Sequence, residues 1–357
     1  MLYLEVLRFA FAFSVLVLHY VMFIDVFFKN DPEQVWGTAP LALLKKIFFF
    51  GSYAVPGFWQ LSGFIFFWLY SSALAEGKES NKSFFVKRFS RLYPLHLLTL
   101  LLMAGANFVF LNWNQTPIPP GDNPKNFILQ LFFASDWGPA SDRNFNGPVW
   151  SVSVEVLVYF YFFVLMKKFG PQIWICVLNI LWSRILNDFK YFEGGFVECC
   201  LFFFTGGLAF LVSKKLKEVV NRRGFYLSIL VGSLAAFCPF IYFGIMSAPK
   251  TIMLLPGSLF LLLLSEIPNP VASPWKKIME NLGNLTYSSY LWHFPVNVFL
   301  IELVKKEKYP PEIFANGLFI TAYFLGILWL SFVSYRFFEL PAQTMIRKAW
   351  LPSKSVS

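Results

Sequence analysis

Apolar runs of about twenty residues recur along this chain from Leu2 to Phe338, and they constrain its fold more than any other feature. Each run is long enough to cross the hydrocarbon core of a bilayer as an α-helix. Only 14% of the 357 residues are charged, against about a quarter in soluble domains. No polar stretch is long enough to form a separate domain. The sequence therefore predicts an all-α, polytopic transmembrane helical bundle.

About ten runs qualify as spans, and an even number places both termini on the same side of the membrane. The predicted spans are 6–28, 48–70, 92–112, 147–166, 171–188, 196–213, 224–246, 251–266, 285–303 and 314–337. With the amino terminus inside, the inner loops hold 17 Lys and Arg, and the outer side holds 11. Because Lys and Arg favour the cytoplasmic side, this bias predicts that both termini are cytoplasmic.

Residues 1–340 are predicted to form one transmembrane unit, followed by a short cytoplasmic tail, 341–357. The first apolar run lacks a small-residue cleavage site, so we expect it to be retained as a span rather than removed as a signal peptide. The longest outer loop, 113–147, contains an apolar stretch at 127–134 that is too short to cross. That stretch could lie as a helix on the outer surface or cover the mouth of a cavity.

The charge and the cysteines argue against several classes of partner. The net charge of +10 comes from basic residues in short loops, where they orient helices, so it does not indicate nucleic acid. Cys176, Cys199, Cys200 and Cys238 lie in apolar runs and lack the spacing of a metal site or a disulfide framework. We interpret them as small core residues and expect no metal and no permanently bound cofactor.

Ionisable side chains inside spans are costly, about 2.5–3.5 kcal/mol at a helix centre, and are therefore functional candidates. His19 follows Arg8 by eleven residues, which is about 16 Å and close to three helical turns, so both project from one face. That face carries a cation at the cytoplasmic mouth and a titratable base near mid-membrane. A histidine satisfied by a bond between helices is the competing interpretation.

Glu155 lies one to two turns below the outer surface if the fourth span enters from outside. At that depth its carboxylate could meet His19 and orient the imidazole, as in acyl-transfer triads. An interfacial glutamate that reaches for water is the alternative. The nearby Ser151 and Ser153 could hold a hydroxyl or a water, or cap the helix.

Other ionisable groups lie at the inner start of the third span and on the ninth span. Arg88 and Arg91 are three residues apart, so both guanidinium groups lie on one helix face, where they could bind phosphate or anchor the helix by snorkelling. His293 could line a cavity or be structural, and the nearby Pro295 frees a backbone carbonyl. We interpret His96, near the inner end of its span, as structural.

Six segments occur in an order that resembles the acyltransferase-3 family of membrane O-acyltransferases. They are Leu4–Arg8 with His19 after ten further residues, Phe58–Ile65, Arg88–Pro94, Trp150–Glu155, Leu282–Pro295 and Tyr335–Pro341. Together they cover essentially the whole chain. Two departures matter: Glu5 stands where the family usually has Asp, and we expect no extramembrane hydrolase-like domain of the kind that many relatives carry after the bundle. We therefore expect it to act alone or with a separate partner.

The resemblance implies a ten-helix enzyme of the bacterial inner membrane that transfers an acyl group, usually acetyl, from cytoplasmic acyl-CoA. The implied acceptor is a hydroxyl of a surface or exported glycan, such as an O-antigen sugar, or a lipid-linked sugar. It implies that His19 is catalytic and that Arg8, Arg88 and Arg91 bind the donor. We add Glu155 as a catalytic partner. The expected lining of the substrate cavity is Ser62, Trp150, Ser151, Ser153, Tyr290 and His293.

Two other classes of function fit parts of the pattern. A proton-coupled multi-pass transporter also uses buried His and Glu, but it predicts inverted repeats, which we do not find, and does not explain the paired arginines. A non-catalytic scaffold or lipid-binding protein predicts that His19 and Glu155 can be replaced at no functional cost. The acceptor, the acyl length, the formation of an acyl-enzyme and the oligomeric state, with a homodimer as one option, are left open.

Overall fold

A computed structural model describes residues 2–28, 39–114, 122–138, 144–188, 195–219, 224, 231–232, 250–267 and 274–352. These residues form helices and turns, with no strand among them, which confirms the predicted all-α class. The helices are α1 Leu2–Phe27, α2 Ala39–Phe66, α3 Asn81–Asn114, α4 Pro124–Leu131, α5 Val149–Phe169, α6 Ile173–Asp188, α7 Gly195–Val219, α8 Leu254–Glu266, α9 Pro274–Glu307, α10 Gly317–Ser334 and α11 Leu340–Trp350. A π-helical turn, Tyr335–Glu339, joins α10 to α11.

Among the described residues, five helices are long and apolar enough to cross a membrane, which confirms a multi-pass architecture. They are Leu2–Phe27, Asn81–Leu111, Val149–Phe169, Gly195–Glu218 and Gly317–Trp350. Shorter apolar helices occupy the predicted fifth and eighth spans, and the predicted second and ninth spans are also helical. The predicted seventh span, 224–246, lies almost wholly outside the described residues. Ten crossings and cytoplasmic termini stay predictions.

Some helices extend past the apolar runs from which they were predicted. The hydroxyl of Ser80 accepts a hydrogen bond from the amide of Ser83 at 3.1 Å, which caps α3 eleven residues before the predicted span. Arg88 and Arg91 therefore project from the interior of α3, two to three turns after its start. The predicted tail is also ordered here, because Leu340–Trp350 is helical and packs against α3.

α1 lies between α2 and α9, and α7 lies between α2 and α6. Glycine lets α2 and α7 cross in direct backbone contact. A Cβ atom on Gly63 would lie 1.8 Å from the carbonyl oxygen of Phe203, and one on Gly206 would lie 1.9 Å from that of Gln60. Small residues at such crossings are typical of packed membrane helices.

The segment between α3 and α5 turns back into the bundle. Nε2 of His96 lies 2.7 Å from the carbonyl oxygen of Gln130, at the end of α4, and the ring of Phe133 stacks on that imidazole at 4.0 Å. His96 is about 22 Å along α3 from its start, near the middle of the helix. The predicted short helix therefore exists, but its end packs inside the bundle rather than on the outer surface. We call residues 122–138 and 144–148 the re-entrant segment.

Candidate active site

Two histidines, from α1 and α9, meet inside the bundle. Nδ1 of His19 lies 3.0 Å from Nε2 of His293. The two rings stack with centroids 4.9 Å apart and planes inclined by 28°. His293 is completely buried. The sequence suggested a cavity-lining or structural role for His293, and the structure makes it a direct neighbour of His19.

The bonds of His293 assign the proton in each ring. Its Nδ1 lies 3.2 Å from the carbonyl oxygen of Ser289, which can only accept, so a neutral His293 carries its proton on Nδ1. Its Nε2 is then an acceptor, and Nδ1 of His19 donates to it. A neutral His19 in this tautomer has its lone pair on Nε2. The hydrogen-bond network therefore makes Nε2 the atom of His19 that can take a proton.

Asn297 braces α1 beside this pair. Its side-chain nitrogen donates to the carbonyl oxygen of His19 at 3.0 Å, and its side-chain oxygen accepts from the hydroxyl of Tyr323 at 2.6 Å. Asn297 is completely buried, so both bonds form in a low-dielectric environment. They connect α1, α9 and α10 at the level of the histidines. Sequence reasoning missed Asn297, although its position one turn after His293 was an available signal.

Pro295 explains how the re-entrant segment is fastened near the pair. Proline has no backbone N–H, so the carbonyl of Leu291, four residues earlier, loses its helical partner. The side chain of Asn146 donates to that carbonyl at 3.0 Å. The carbonyl that the sequence predicted to be freed is thus the anchor of Asn146.

A cavity of about 90 Å³ is lined by Arg8 on α1 and by residues of α2, α3, α5 and α9, and neither histidine is in its described lining. Ser62, Ser151 and Tyr290, three of the expected cavity residues, line it. Oγ of Ser151 and the hydroxyl of Tyr290 are 2.6 Å apart. The ring of Tyr290 lies 5.8 Å from that of His293, so Tyr290 connects the cavity to the pair.

Glu155 lies in the wall of the same cavity. The hydroxyl of Tyr159 donates to its Oε1 at 2.5 Å, and Ser62 lines the same cavity. The structure therefore brings Glu155 together with Ser62 and Tyr159, whereas it brings His19 together with groups on α9. An orienting role of Glu155 toward His19 stays a prediction.

Trp150 and Ser153 have packing contacts. The ring of Trp150 packs edge-on against Trp59 at 5.8 Å. Oγ of Ser153 accepts from the backbone amide of Asp136 at 3.2 Å, and its carbonyl accepts from Nε1 of Trp137 at 2.9 Å. Ser153 thus anchors the re-entrant segment to α5, and its expected role in the cavity stays a prediction.

Arginines gather at one end of the bundle, which we call the arginine end and define by Arg8, Arg91 and Arg347. Arg8 pairs with Glu5 at 2.9 Å and lines the cavity. Arg91 lies 3.8 Å from the buried carboxylate of Glu339. Sequence reasoning missed the ion pair of Glu339, although Glu339 stands in a segment that supports the family resemblance.

Two further arginine contacts complete this end. Nε of Arg347, on α11, donates to the hydroxyl of Ser90 at 3.1 Å, between the two arginines of α3. Arg88 donates to the hydroxyl of Tyr70 at 2.8 Å and lies over the rings of Tyr70 and Phe66. Binding of donor phosphates by Arg88 and Arg91 stays a prediction.

The cysteines and the third histidine lie in packed surroundings. Cys176, Cys199 and Cys200 are buried free thiols, and Cys238 lies outside the described residues. Among the described residues, no group of three or more His, Cys, Asp or Glu side chains is placed to hold a metal ion. His96 is completely buried against the re-entrant segment.

Comparison with known proteins gives a family match. Residues 1–336 match the acyltransferase-3 family model, which is described as an acyltransferase domain. The chain is 31% identical over 163 residues to the acyltransferase MdmB of Streptomyces mycarofaciens. The aligned region covers 44% of this chain and 39% of that protein. It is 24% identical over 347 residues to a Staphylococcus aureus (strain COL) protein named "Putative O-acetyltransferase", covering 85% of this chain and 55% of that protein.

A third relative is protein 2 in the picA locus of Rhizobium radiobacter, 44% identical over 139 residues, covering 35% of this chain and 68% of that protein. The chain thus spans about 39% and 55% of the length of the first two relatives. No solved structure matches the chain.

Proposed function

Because this chain belongs to the acyltransferase-3 family, we propose that it moves an acyl group, acetyl above all, from cytoplasmic acyl-CoA to a hydroxyl of a surface or exported glycan, such as an O-antigen sugar. The proposal places the enzyme in a bacterial inner membrane with its arginine end in the cytoplasm. The observation that carries it is the pair of His19 and His293, beside a cavity that begins at Arg8.

Acyl-CoA binds at the arginine end with its phosphates against guanidinium groups, and its thioester enters the cavity past Arg8. Arginine suits this task because its planar fork donates two parallel hydrogen bonds to phosphate. The cavity of about 90 Å³ has room for roughly three waters. That size supports a short acyl group such as acetyl over a long chain.

The lone pair on Nε2 of His19 takes the proton of the acceptor hydroxyl as its oxygen attacks the thioester carbonyl. The tetrahedral intermediate then collapses, the carbon–sulfur bond breaks, and the thiolate of CoA leaves and receives the proton from His19. His293 keeps its hydrogen bond to Nδ1 of His19 throughout, which holds the tautomer and stabilises the imidazolium. General base catalysis of this kind contributes about 10²–10⁴-fold.

The acceptor approaches from the end opposite the arginines, where the re-entrant segment reaches the histidine level. Oε1 of Gln130 and Oδ1 of Asn146 are buried and have no hydrogen-bond partner among the described residues. Buried acceptors without partners are costly in a membrane bundle, and sugar hydroxyls are donors that can satisfy them. This pair of amide oxygens supports a hydroxyl-rich acceptor.

Mass spectrometry of surface glycans tests the proposal. Cells that express the wild-type chain are expected to gain one acetyl mass per repeat, and cells that express His19→Ala are expected to gain none. Ser14→Ala is the control, because among the described residues the Ser14 hydroxyl bonds only within its own helix, to Ala10, at 2.9 Å. Full acetylation by a correctly inserted His19→Ala protein would overturn the proposal.

A further inference from the structure

A second cavity, of about 550 Å³, lies between α3 and α5. Aromatic side chains form most of its wall, including Phe85, Phe89, Phe133 and Phe160. Phe85 and Phe89 are each 38% exposed and Phe160 is 54% exposed, so this side of the cavity is open toward the surroundings of the bundle. Arg88 is the only charged residue in the described lining. We call this cavity the Arg88 groove.

Arg88 differs from the other arginines of α3 and α1 in its partners. Arg8 pairs with Glu5 and Arg91 pairs with Glu339, whereas no carboxylate among the described residues pairs with Arg88. Nε of Arg88 is buried and has no hydrogen-bond partner among those residues. Since its guanidinium has five donors and Tyr70 receives a hydrogen bond from only one nitrogen, Arg88 retains the capacity to bind an anion.

With the arginine end at the cytoplasmic surface, as proposed above, Arg88 lies near the level of lipid phosphates. It lies seven residues into α3, about 10 Å from the start of the helix, at the arginine end. A membrane supplies anionic phosphates next to long apolar chains at this depth, and basic pockets between helices bind such headgroups. The groove is also within the usual range of ligand pockets, about 300–1,000 Å³.

We propose that the Arg88 groove binds a phosphate-bearing anionic lipid. The phosphate accepts hydrogen bonds from Arg88, and one chain lies along the aromatic wall toward Phe133 and Trp137. The chain passes Tyr159, which lines this groove and also the reaction cavity, where its hydroxyl holds Glu155. The lipid therefore packs against the residue that holds Glu155 in the wall of the reaction cavity. This assignment gives Arg88 a lipid phosphate in place of the acyl-CoA phosphate implied by the family resemblance.

Native mass spectrometry of the purified full chain tests this assignment without acyl-CoA and without turnover. The protein is equilibrated with phosphatidylglycerol and phosphatidylcholine of identical chains. Wild type is expected to retain phosphatidylglycerol preferentially, and Arg88→Gln is expected to lower that retention about tenfold, because a charge-assisted hydrogen bond is lost. Val156→Trp fills the groove without altering charge and is expected to lower the retention of both lipids.

Two variants outside the groove serve as matched controls. Arg336→Gln removes an exposed arginine, and Val177→Trp enlarges an exposed valine on α6. Neither is expected to change lipid retention. The assignment is overturned if Arg88→Gln retains phosphatidylglycerol like wild type, or if the controls lower retention as much as the groove variants. A raised KM for acyl-CoA in Arg88→Gln with unchanged retention would assign Arg88 to the donor. Because lipid retention is measured without turnover, its failure to depend on Arg88 leaves the proposed enzymatic activity untouched.

Discussion

At the scale of single residues, His293 has one ring nitrogen bonded to its own helix and the other to His19. This arrangement leaves little freedom in either ring, because Ser289 fixes the tautomer of His293 and His293 fixes that of His19. A positioning role of this kind predicts an effect on turnover rather than on binding.

His293→Leu is therefore expected to lower kcat about a hundredfold, with little change in the KM for acyl-CoA. His293→Gln is expected to retain more activity, because its side-chain oxygen can still accept a hydrogen bond from Nδ1–H of His19. Steady-state kinetics over a pH series measures both effects, and His293→Leu should also shift the acidic limb of the kcat/KM profile. A raised KM with unchanged kcat would instead indicate that His293 contacts substrate.

Tyr323→Phe tests the brace on α1. The change removes the hydroxyl that donates to Asn297 and leaves a buried amide oxygen without its partner, which costs about 1–3 kcal/mol. We expect a lower Tm in detergent and a moderate loss of activity. Tyr93→Phe is the control, since no hydrogen bond of its hydroxyl occurs among the described residues. Equal Tm values for the two variants would contradict the brace.

Only part of the site could be predicted from the sequence. Arg8 and Glu155 were candidates because ionisable groups in apolar runs are costly, and both line one cavity together with Ser62. The contact between His19 and His293 could not be predicted, since it joins residues 274 positions apart and depends on how α1 and α9 are rotated. The hydrogen bonds of Asn297 and the ion pair of Glu339 also join distant residues, so they could not be predicted either.

At the scale of helices, the crossing of α2 and α7 depends on glycine. Gly63→Ala would place a methyl group 1.8 Å from a backbone carbonyl that cannot move without displacing α7. We expect a marked fall in Tm and in the yield of folded protein on size-exclusion chromatography. Gly105→Ala and Gly326→Ala are matched controls in other helices, because a Cβ atom at either position meets nothing within 4 Å. Their Tm should stay equal or rise, since alanine favours helix more than glycine. A similar loss in all three variants would contradict close packing as the cause.

The re-entrant segment is expected to loosen as pH rises. Asp122 accepts hydrogen bonds from Asn107 at 3.2 Å and from the amide of Phe145 at 2.7 Å, and burial raises its pKa from 3.8 to about 6. Because the folded segment binds the proton more tightly than the unfolded one, its stability is fully present below about pH 4 and falls as pH rises through about 6.

Hydrogen exchange of residues 122–138, corrected for the intrinsic dependence on pH, should therefore show less protection at pH 7 than at pH 5. The same measurement on Asp122→Asn is the control and should show no change between the two values. Protection that rises with pH in the wild-type chain would contradict burial as the cause of the raised pKa of Asp122.

The sequence predicts that the helices exist, but it predicts neither where they end nor how the re-entrant segment packs. α3 starts eleven residues before its apolar run because Ser80 caps a polar turn that hydropathy excludes. The eight residues of α4 carry too weak a signal to show depth. Of these residues only Asn126 and Gln130 are buried, and the bonds that hold the segment, His96 to Gln130 and Asn146 to Leu291, join distant parts of the chain.

At the scale of the whole molecule, the arginine end is expected to face the cytoplasm, as the distribution of Lys and Arg predicts. A membrane-impermeant maleimide applied to intact cells should label Lys308→Cys, at the end of α9, and not Lys276→Cys, at its start. The described native cysteines are buried and should react little, and Cys238→Ala removes the remaining one. Labelling of Lys276→Cys alone would reverse the proposed orientation.

We propose that His19 is the general base of acyl transfer inside the bundle, and an assay of acyl transfer by the purified chain checks this role. The chain in lipid nanodiscs is given acetyl-CoA labelled in the acetyl group, together with a glycan extract. With wild type, we expect extract-dependent release of free CoA and appearance of the label in the glycan. With folded His19→Ala, we expect neither signal above background. Transfer of label to glycan by His19→Ala at the wild-type rate would contradict it.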